Sequence, residues 1–303
     1  MESNSVSPMP ELAPIAEFDK TPPTPPEDTL PMDDLPPPPT TVTVQEEKEK
    51  EAHRHYEDEN EWGCGSWFEY TVVVVLASVL LLGSLGLTLF WVIQYQGGFA
   101  WRENPEKQFN LHPVLMVAGF ITFSGFSILL YRICRCCRRI YVKLLHTVFH
   151  ALAIPCVAIG FLAVLDSHNL KQPNAIPNFY SMHSWIGLVT MGLFAIQFVV
   201  GFFSFLVLLC CEGATASFRA ALVPIHASFG LTTFMLAIAA ALTGLTEKVM
   251  FTLKDRYSSL GEEAIVVNTI GMTLVALAIV VAYILQRDEF RFRAHILIRS
   301  GDL

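Results

Sequence analysis

Six long runs of uncharged, mostly apolar residues occupy the chain between residues 70 and 286. Each run is long enough to cross a hydrocarbon core, which needs about 20 residues. The six runs are Tyr70–Ile93, Leu111–Tyr131, Leu144–Leu165, His183–Leu209, Ala221–Leu245 and Ile265–Gln286. Because backbone polar groups in lipid must be satisfied within their own segment, each run predicts a transmembrane helix. The expected fold class is an all-α polytopic membrane protein with six transmembrane helices, numbered here 1 to 6.

A polar segment of a different kind precedes the first apolar run. Residues 1–45 are rich in proline, with the strings TPPTPPED and LPPPPTT, and residues 46–61 are strongly charged. Such a composition cannot bury a core, so we expect a disordered acidic, proline-rich cytosolic tail over residues 1–65. The charged part could form a short juxtamembrane helix. The six-helix domain is then expected over residues 66–287, followed by a short cytosolic tail over residues 288–303.

The proline-rich tail leaves two interpretations open. It is either a plain solvated tail or a ligand for an SH3- or WW-type partner, because such domains bind polyproline segments. No N-terminal signal peptide is expected, since the first apolar run begins only near Tyr70.

Composition and charge agree with this division. The 303-residue chain is 52% hydrophobic, which excludes an ordinary soluble domain of this length. The net charge of −8 is unevenly spread, because residues 1–69 contain 17 acidic and 4 basic side chains while the remainder contains 11 acidic and 16 basic. The partner expected from this composition is the lipid bilayer, and no nucleic-acid partner is expected.

Basic residues in the short loops predict the orientation, because such residues accumulate on the cytosolic side. Ten lie on one side of the predicted helices: Arg132, Arg135, Arg138, Arg139, Lys143, Arg219, Arg287, Arg291, Arg293 and Arg299. Six lie on the other side: Arg102, Lys107, Lys171, Lys248, Lys254 and Arg256. The first side should be cytosolic, and both chain termini should then face the cytosol.

Most of the seven cysteines cluster near this cytosolic side, in the groups Cys134, Cys136, Cys137 and Cys210, Cys211. Thiols there stay reduced, so a disulfide framework is not expected. Two interpretations remain open, free structural thiols and palmitoylation of juxtamembrane cysteines. The CxCC spacing fits no standard zinc-ligand pattern.

The candidate chemistry lies in four histidines, one near the start of each of helices 2 to 5. His112 and His183 fall at the non-cytosolic ends of helices 2 and 4, and His146 and His226 at the cytosolic ends of helices 3 and 5. Ionisable residues inside a membrane usually mark function. Two pairs of neutral imidazoles, one per leaflet and roughly 20 Å apart, are what two bis-histidine haems require. Two such haems would form a path for electrons across the bilayer.

Other uses of these histidines are considered beside this one. A single membrane histidine is often a proton relay or a packing residue, and a six-helix proton or metal transporter is the main alternative function. Zinc is the rival ion, but two-histidine zinc sites usually recruit a carboxylate or thiolate, and Asp166 is the only nearby acid. A third hypothesis is a scaffold in which the acidic tail binds partners and the core is only an anchor.

Two further histidines lie close to the four. His150 follows His146 by four residues and therefore lies on the same helix face, where it could compete as a ligand. We prefer His146, whose depth better matches that of His226, and interpret His150 as a hydrogen-bonding neighbour of the haem. His168 lies just past helix 3 on the outer side, where a role in binding an external electron donor or acceptor is expected.

Several strings around these residues resemble the cytochrome b561 family of six-helix dihaem ascorbate-dependent reductases. The most specific are FNLHPVLM, ILLYR, KLLHTVFH and FYSMHSWIG, and the strings YQGGFAW and VPIHASFG also fit. The resemblance covers about residues 66–287, with Met182 in place of the usual leucine before His183. The long N-terminal extension lies outside it.

This resemblance implies that helices 2–5 form a four-helix bundle around two haem b groups. His112 would pair with His183, and His146 with His226. It also implies an ascorbate site on each side of the membrane. On the cytosolic side the family's basic residues match Arg132, Arg139 and Lys143, which otherwise serve only as topology signals. On the outer side His168, Asn169 and Tyr180 match the second site. A homodimer is expected from the resemblance alone.

The expected function is transmembrane electron transfer from cytosolic ascorbate through both haems to a non-cytosolic acceptor. Two acceptors remain open, monodehydroascorbate and a ferric chelate. The membrane also remains open, either an endomembrane such as a secretory vesicle or lysosome, or the plasma membrane.

Overall fold

The structure, a computed structural model, describes residues 41–134 and 137–287. Six long helices make up this part of the chain, and all six are apolar enough to cross a membrane. Their bounds are α1 Thr41–Tyr95, α2 Pro105–Ile133, α3 Arg139–Asn169, α4 Met182–Phe205, α5 Glu212–Thr252 and α6 Glu262–Gln286. The predicted fold class is confirmed, since no strand occurs among the described residues. The protein is an integral, multi-pass membrane protein.

The chain divides into two units, Met1–Asp58 and Glu59–Leu303. Within the first unit the structure describes only the beginning of α1, so the predicted partner of the proline-rich tail falls outside the described residues. The short tail over residues 288–303 and Cys136 also fall outside them. The second unit contains all six apolar spans and, with them, every histidine of the candidate site.

Several helices extend further than the apolar runs predict. Helix α3 continues to Asn169 and therefore includes Asp166 and His168, which were expected beyond its end. Helix α5 continues to Thr252 and includes Glu247 and Lys248. The uncharged runs therefore underestimate the lengths of α3 and α5. The reason is that a helix continues through polar residues once it leaves the apolar layer, whereas hydropathy reports only that layer.

Helix α2 is the irregular member of the bundle. It consists of Pro105–Phe109, Leu111–Met116, a π-helical stretch over Val117–Phe123 and Ser124–Ile133. A π-helical turn takes more residues than an α-helical turn, so the rest of the helix shifts in register. The shifted part carries Ser127, which lies beside His146 of the neighbouring helix.

The loop before α2 explains the string YQGGFAW. Gly97 and Gly98 adopt φ values of 76° and 78°, a left-handed conformation that glycine adopts without steric cost. The turn brings two carbonyl groups to the Nδ2 atom of Asn110, which donates to Gln96 O at 2.9 Å and to Gly98 O at 2.8 Å. Helix α2 is thereby held at Asn110, two residues before His112.

The four central helices form two packed pairs, α2 with α3 and α4 with α5. Gly119 permits the first pair to approach closely, since a Cβ atom there would lie 3.1 Å from the carbonyl oxygen of Ala153. Gly160 has the same role from the other helix, with 3.1 Å to Leu115 Cβ. The four predicted histidines lie between the α2–α3 pair and the α4–α5 pair.

Helices α1 and α6 pack against this core from the outside. Trp91 in α1 donates to Glu263 in α6 at 3.0 Å, and Glu263 also accepts from Gln96 at 2.6 Å. At the other end Tyr70 in α1 donates to the carbonyl oxygen of Arg132 at 2.8 Å. Helix α1 is thus joined to α6 at one end of the bundle and to α2 at the other.

Candidate functional site

Two ends of the bundle are distinguished by charge. The basic end holds Arg139 and Lys143, together with the starts of α3 and α5. The opposite end holds the starts of α2 and α4 and the loop from Leu170 to Ser181. The four histidines occupy both ends, two at each.

At the opposite end His112 in α2 faces His183 in α4. Their ring centroids are 5.9 Å apart and the ring planes are nearly perpendicular, at 86°. At the basic end His146 in α3 faces His226 in α5, with 6.2 Å between centroids and 68° between planes. The structure therefore brings together the two pairs that the sequence predicted, each pair across the boundary between the two packed helix pairs.

The spacing within each pair suits one metal ion between two imidazoles. An imidazole nitrogen bonds a metal at about 2 Å, so two such bonds on opposite sides of one ion leave the ring centres about 6 Å apart. Both observed separations agree with that value. Among the described residues no third histidine, cysteine or carboxylate completes a protein-only metal cluster. Two opposed imidazoles could hold the iron of a b-type haem.

Hydrogen bonds at the second ring nitrogen support a ligand role. His112 Nδ1 lies 3.1 Å from Gly160 O, and His183 Nδ1 lies 2.8 Å from Ala240 O. His146 Nδ1 lies 2.9 Å from the carbonyl oxygen of Ser127. A carbonyl can only accept, so each Nδ1 carries the proton and each Nε2 keeps the lone pair that a metal needs.

Each carbonyl group that accepts from a histidine Nδ1 atom, called here a carbonyl anchor, belongs to the helix packed beside that histidine. His112 and His146 bond across the α2–α3 pair, and His183 bonds across the α4–α5 pair. The Nδ1 atom of His226 is buried and has no hydrogen-bond partner among the described residues. The four ligand positions therefore differ, and His226 is the least restrained of them.

His150 lies beside the basic-end pair but does not oppose another helix's histidine. Its ring packs edge-on against that of His146, with 4.6 Å between centroids, and it is 5.7 Å from the ring of Phe194. Its Nδ1 atom also has no hydrogen-bond partner in the described part of the chain. A role for His150 as a haem neighbour stays a prediction.

The three basic residues predicted to bind ascorbate differ in their surroundings. Arg139 is exposed and Lys143 half-buried, one helical turn apart at the start of α3. Arg132 is buried, and its guanidinium donates to Leu285 O at 2.6 Å and Arg287 O at 3.0 Å. The last carbonyl groups of a helix lack intrahelical partners, so Arg132 stabilises the end of α6. This contact was not expected from the sequence.

At the opposite end the structure groups His168 with a residue that the sequence did not single out. His168 Nδ1 lies 3.0 Å from Asn178 Oδ1, and Asn178 Nδ2 donates to Asn169 Oδ1 at 3.0 Å. Asn178 thus links His168 with Asn169. The His168 ring is nearly parallel to that of Phe109, with 6.2 Å between centroids. Tyr180 lies in the same loop and is exposed.

A cavity of about 810 Å³ joins this group to the histidine pair. His112, His183, His168 and Tyr180 all line it, and its volume lies in the range of ligand and cofactor sites. Lys248 also lines the cavity, with its ammonium group 4.4 Å above the ring of Phe109. The wall near the mouth contains a second lysine, Lys171, which is paired with Glu106.

Charged residues outside the apolar layer stabilise the rim of this cavity. Arg102 donates from Nε to the carboxylate of Asp166 at 2.8 Å. Hydrogen bonding and attraction to that carboxylate raise the pKa of the Arg102 guanidinium. The contact holds the loop before α2 against the end of α3, next to His168.

Comparison with known proteins identifies this arrangement. The family model for eukaryotic cytochrome b561 matches residues 111–252, the segment that contains all four facing histidines. The chain is 40% identical over 224 residues to the lysosomal membrane ascorbate-dependent ferrireductase CYB561A3 of Homo sapiens, covering 71% of this chain and 89% of that protein. This chain belongs to the cytochrome b561 family.

Two further relatives agree with this assignment. The plasma membrane ascorbate-dependent reductase CYBRD1 of Xenopus tropicalis is 41% identical, over 67% of this chain and 71% of that protein. The transmembrane ascorbate-dependent reductase CYB561 of Ovis aries is 36% identical, over 72% of this chain and 83% of that protein. The b561 resemblance predicted from the histidine strings is confirmed. Since cytochromes are haem proteins, the two imidazole pairs are this chain's candidate haem ligands.

Proposed function

We propose that this b561 protein is a transmembrane oxidoreductase that moves single electrons from cytosolic ascorbate to an acceptor on the other side. Two b haems would be held by His146 with His226 at the basic end and by His112 with His183 at the opposite end. When bound, the haems supply one-electron carriers within an apolar bundle. The observation that carries this proposal is the pair of imidazole separations, 6.2 and 5.9 Å, near the two ends of one bundle.

The role of the protein at each haem is to orient the ligand and fix its proton. Backbone carbonyl groups of Gly160, Ser127 and Ala240 accept from three of the four Nδ1 atoms. A carbonyl anchor increases the electron density at Nε2 and fixes the ring orientation. The three anchored histidines therefore keep a neutral, ligating form without a charged partner.

We place the donor site at the basic end, which the excess of basic loop residues assigns to the cytosol. Both chain termini then also face the cytosol. Arg139 and Lys143 lie one turn apart, three residues or more before His146, and supply positive charge for the ascorbate monoanion. Arg132 adds to this charge, but its contacts with Leu285 O and Arg287 O favour a role in holding α6.

The acceptor site would lie at the mouth of the cavity at the opposite end. His168 is fixed there by Asn178, and Asn169 is joined to the same group. Tyr180 and Lys248 line the cavity that leads to His112 and His183. A mouth with a hydrogen-bonding imidazole, a phenol and an ammonium group suits an anionic acceptor, either monodehydroascorbate or a ferric chelate.

The overall reaction balances for both acceptors. On the cytosolic side ascorbate loses one electron and one proton and becomes monodehydroascorbate. On the other side monodehydroascorbate gains one electron and one proton and becomes ascorbate, or a ferric chelate gains one electron and becomes ferrous. The membrane potential acts on the transferred charge with about 2.3 kcal/mol per 100 mV.

The names of the relatives bear on the acceptor and on the membrane. One relative is named a lysosomal membrane ferrireductase and another a plasma membrane reductase. We therefore propose a ferric chelate as the first acceptor to test, at the lysosomal or plasma membrane, with monodehydroascorbate in a secretory vesicle as the alternative. A homodimer is a further expectation from the family.

Sealed vesicles with the basic end outward test the proposal. Ascorbate is added outside, and vesicles contain either a ferric chelate or an enzyme that generates monodehydroascorbate from trapped ascorbate. We expect reduction of the internal acceptor by the wild type and its loss in His146→Ala. The matched control is Met182→Ala, an exposed residue beside His183. If vesicles with the His146→Ala variant reduce the internal acceptor as fast as wild-type vesicles, the proposal is contradicted.

A further inference from the structure

Helices α4 and α5 share a spacing that relates each histidine to a glycine. Gly201 follows His183 by 18 residues, and Gly244 follows His226 by the same number. Eighteen residues are about five turns of an α-helix, so each glycine lies on the same helix face as the histidine before it. The interval is about 27 Å, which is close to the thickness of the hydrocarbon core.

The antiparallel packing of α4 and α5 places each glycine against the histidine of the other helix. A Cβ atom at Gly244 would lie 2.7 Å from Cε1 and 2.8 Å from Nδ1 of His183. A Cβ atom at Gly201 would lie 2.8 Å from Cε1 of His226. These distances are shorter than ordinary van der Waals contact, so neither position has room for a side chain in the present ring orientation.

The neighbouring contacts prevent the rings from moving aside, most strongly for His183. Its Nδ1 atom is held 2.8 Å from Ala240 O, one turn before Gly244 on α5. The ring of His226 instead has Phe205 on one side, at 5.2 Å between centroids, and lacks an Nδ1 partner in the described residues. His183 is thus fixed by both a carbonyl anchor and a glycine, and His226 by the glycine and an aromatic ring.

We propose that Gly201 and Gly244 are positioning residues that set the imidazole orientation of His226 and His183, one glycine for each proposed haem. Because each glycine has no side chain, the opposing ring can lie against bare backbone. This inference rests on the proposed bis-histidine ligation and assigns its geometry to two further residues.

The two halves of the bundle place their carbonyl anchors at similar intervals from the histidines. The carbonyl group of Gly160 accepts from His112, and Gly160 lies 14 residues after His146 on the same helix. The carbonyl group of Ala240 accepts from His183, and Ala240 likewise lies 14 residues after His226. The third anchoring residue, Ser127, lies 15 residues after His112 on α2. The π-helical stretch Val117–Phe123 between these two residues accounts for the extra residue. In both the α2–α3 and the α4–α5 pair, an anchoring carbonyl group therefore lies at nearly the same distance along a helix from a histidine.

The test uses Gly244→Ala and Gly201→Ala in the full-length protein, purified with its haems. Electron paramagnetic resonance of the oxidised protein is the readout, because the low-spin ferric signal depends on the angle between the two axial imidazole planes. We expect Gly244→Ala to shift or abolish the signal of the His112–His183 haem and to leave the other signal unchanged. Gly201→Ala should shift or abolish the signal of the His146–His226 haem and leave the other signal unchanged.

Gly192→Ala is the matched control, because Gly192 lies on α4, is exposed, and has nothing within 4 Å of a Cβ built on it. Each glycine variant also controls the other, since the undisturbed haem signal reports that the bundle has folded. Equal disturbance of both signals by either variant, or no difference from Gly192→Ala, would overturn the inference. If the proposed ligation itself is wrong, the wild-type protein will lack two low-spin signals, which separates that failure from this one.

Discussion

The Nδ1 atom of His183 lies 2.8 Å from the carbonyl oxygen of Ala240 on the neighbouring helix. Because this carbonyl accepts the only ring proton of a neutral imidazole, the Nε2 atom of His183 keeps its lone pair available. Two of the other three facing histidines have the same kind of anchor. In the proposed ligation, haem binding depends on backbone positions as well as on the histidines themselves.

Replacing one histidine of a pair should remove one haem and leave the other. We expect His183→Ala to reduce the haem content from two per chain to one, because the opposite-end pair then has one axial ligand. Pyridine haemochrome analysis per mole of protein measures this. Met182→Ala is the control at an adjacent exposed position, and it should retain both haems. Full haem content in His183→Ala would exclude the proposed pairing.

His150 should be dispensable for haem binding. Its ring packs edge-on against His146, and His146 already has a facing partner in His226. We expect His150→Ala to keep two haems per chain and to shift the reduction potential of only one of them in a redox titration. Loss of a haem would instead make His150, rather than His146, the ligand at the basic end.

The half-buried ammonium group of Lys143 should contribute to ascorbate binding. We expect Lys143→Ala to raise the ascorbate concentration for half-maximal reduction several-fold, since a partly exposed ion pair contributes up to about 1 kcal/mol. Stopped-flow reduction at the basic end, with Lys254→Ala at the opposite end as control, measures the effect. Unchanged kinetics would leave Lys143 as a topology signal only.

Arg132 should act mainly on stability. Its guanidinium donates to two terminal carbonyl groups of α6, and removal of the guanidinium would leave these partly buried acceptors without that donor. We expect Arg132→Met to lower the free energy of unfolding by about 1–3 kcal/mol. The ascorbate concentration for half-maximal reduction should change less than in Lys143→Ala. The opposite ranking of the two variants would restore Arg132 to direct ascorbate binding.

Asn178 and Lys248 should affect only the acceptor side. Asn178 holds His168, and Lys248 lines the cavity above Phe109. We expect Asn178→Ala and Lys248→Met to raise the acceptor concentration for half-maximal turnover in sealed vesicles. Reduction of the protein by external ascorbate should remain as in the wild type. An effect on that first step would show that these residues act through the bundle rather than on the acceptor.

The fold and the histidine pairs could be predicted from the sequence because both depend on strong periodic signals. Six apolar runs define six helices, and the alternation of helix direction sorts His112, His146, His183 and His226 by depth. The helix ends could not be predicted, since Asp166 and Lys248 continue helices beyond the apolar layer where hydropathy gives no signal. The depth of each histidine in the membrane was sufficient to predict the pairs, but it did not predict the contacts between neighbouring helices.

The residues that the sequence did not reveal are those whose roles depend on a neighbouring helix. Gly201 and Gly244 resemble any membrane glycine until α4 and α5 are placed side by side, although their common interval of 18 residues after a histidine was a usable signal. Asn178 lies in a loop whose path local sequence does not determine. The contact of Arg132 with α6 could not be predicted, because its carbonyl partners are 153 and 155 residues away along the chain.

The most direct test of the central claim is electron paramagnetic resonance of the oxidised, purified protein together with its haem content. Bis-histidine ligation at both ends predicts two haems per chain, both six-coordinate and low-spin, with distinct signals for the His112–His183 and His146–His226 sites. A single haem per chain, or a five-coordinate high-spin ferric signal at either site, would contradict it.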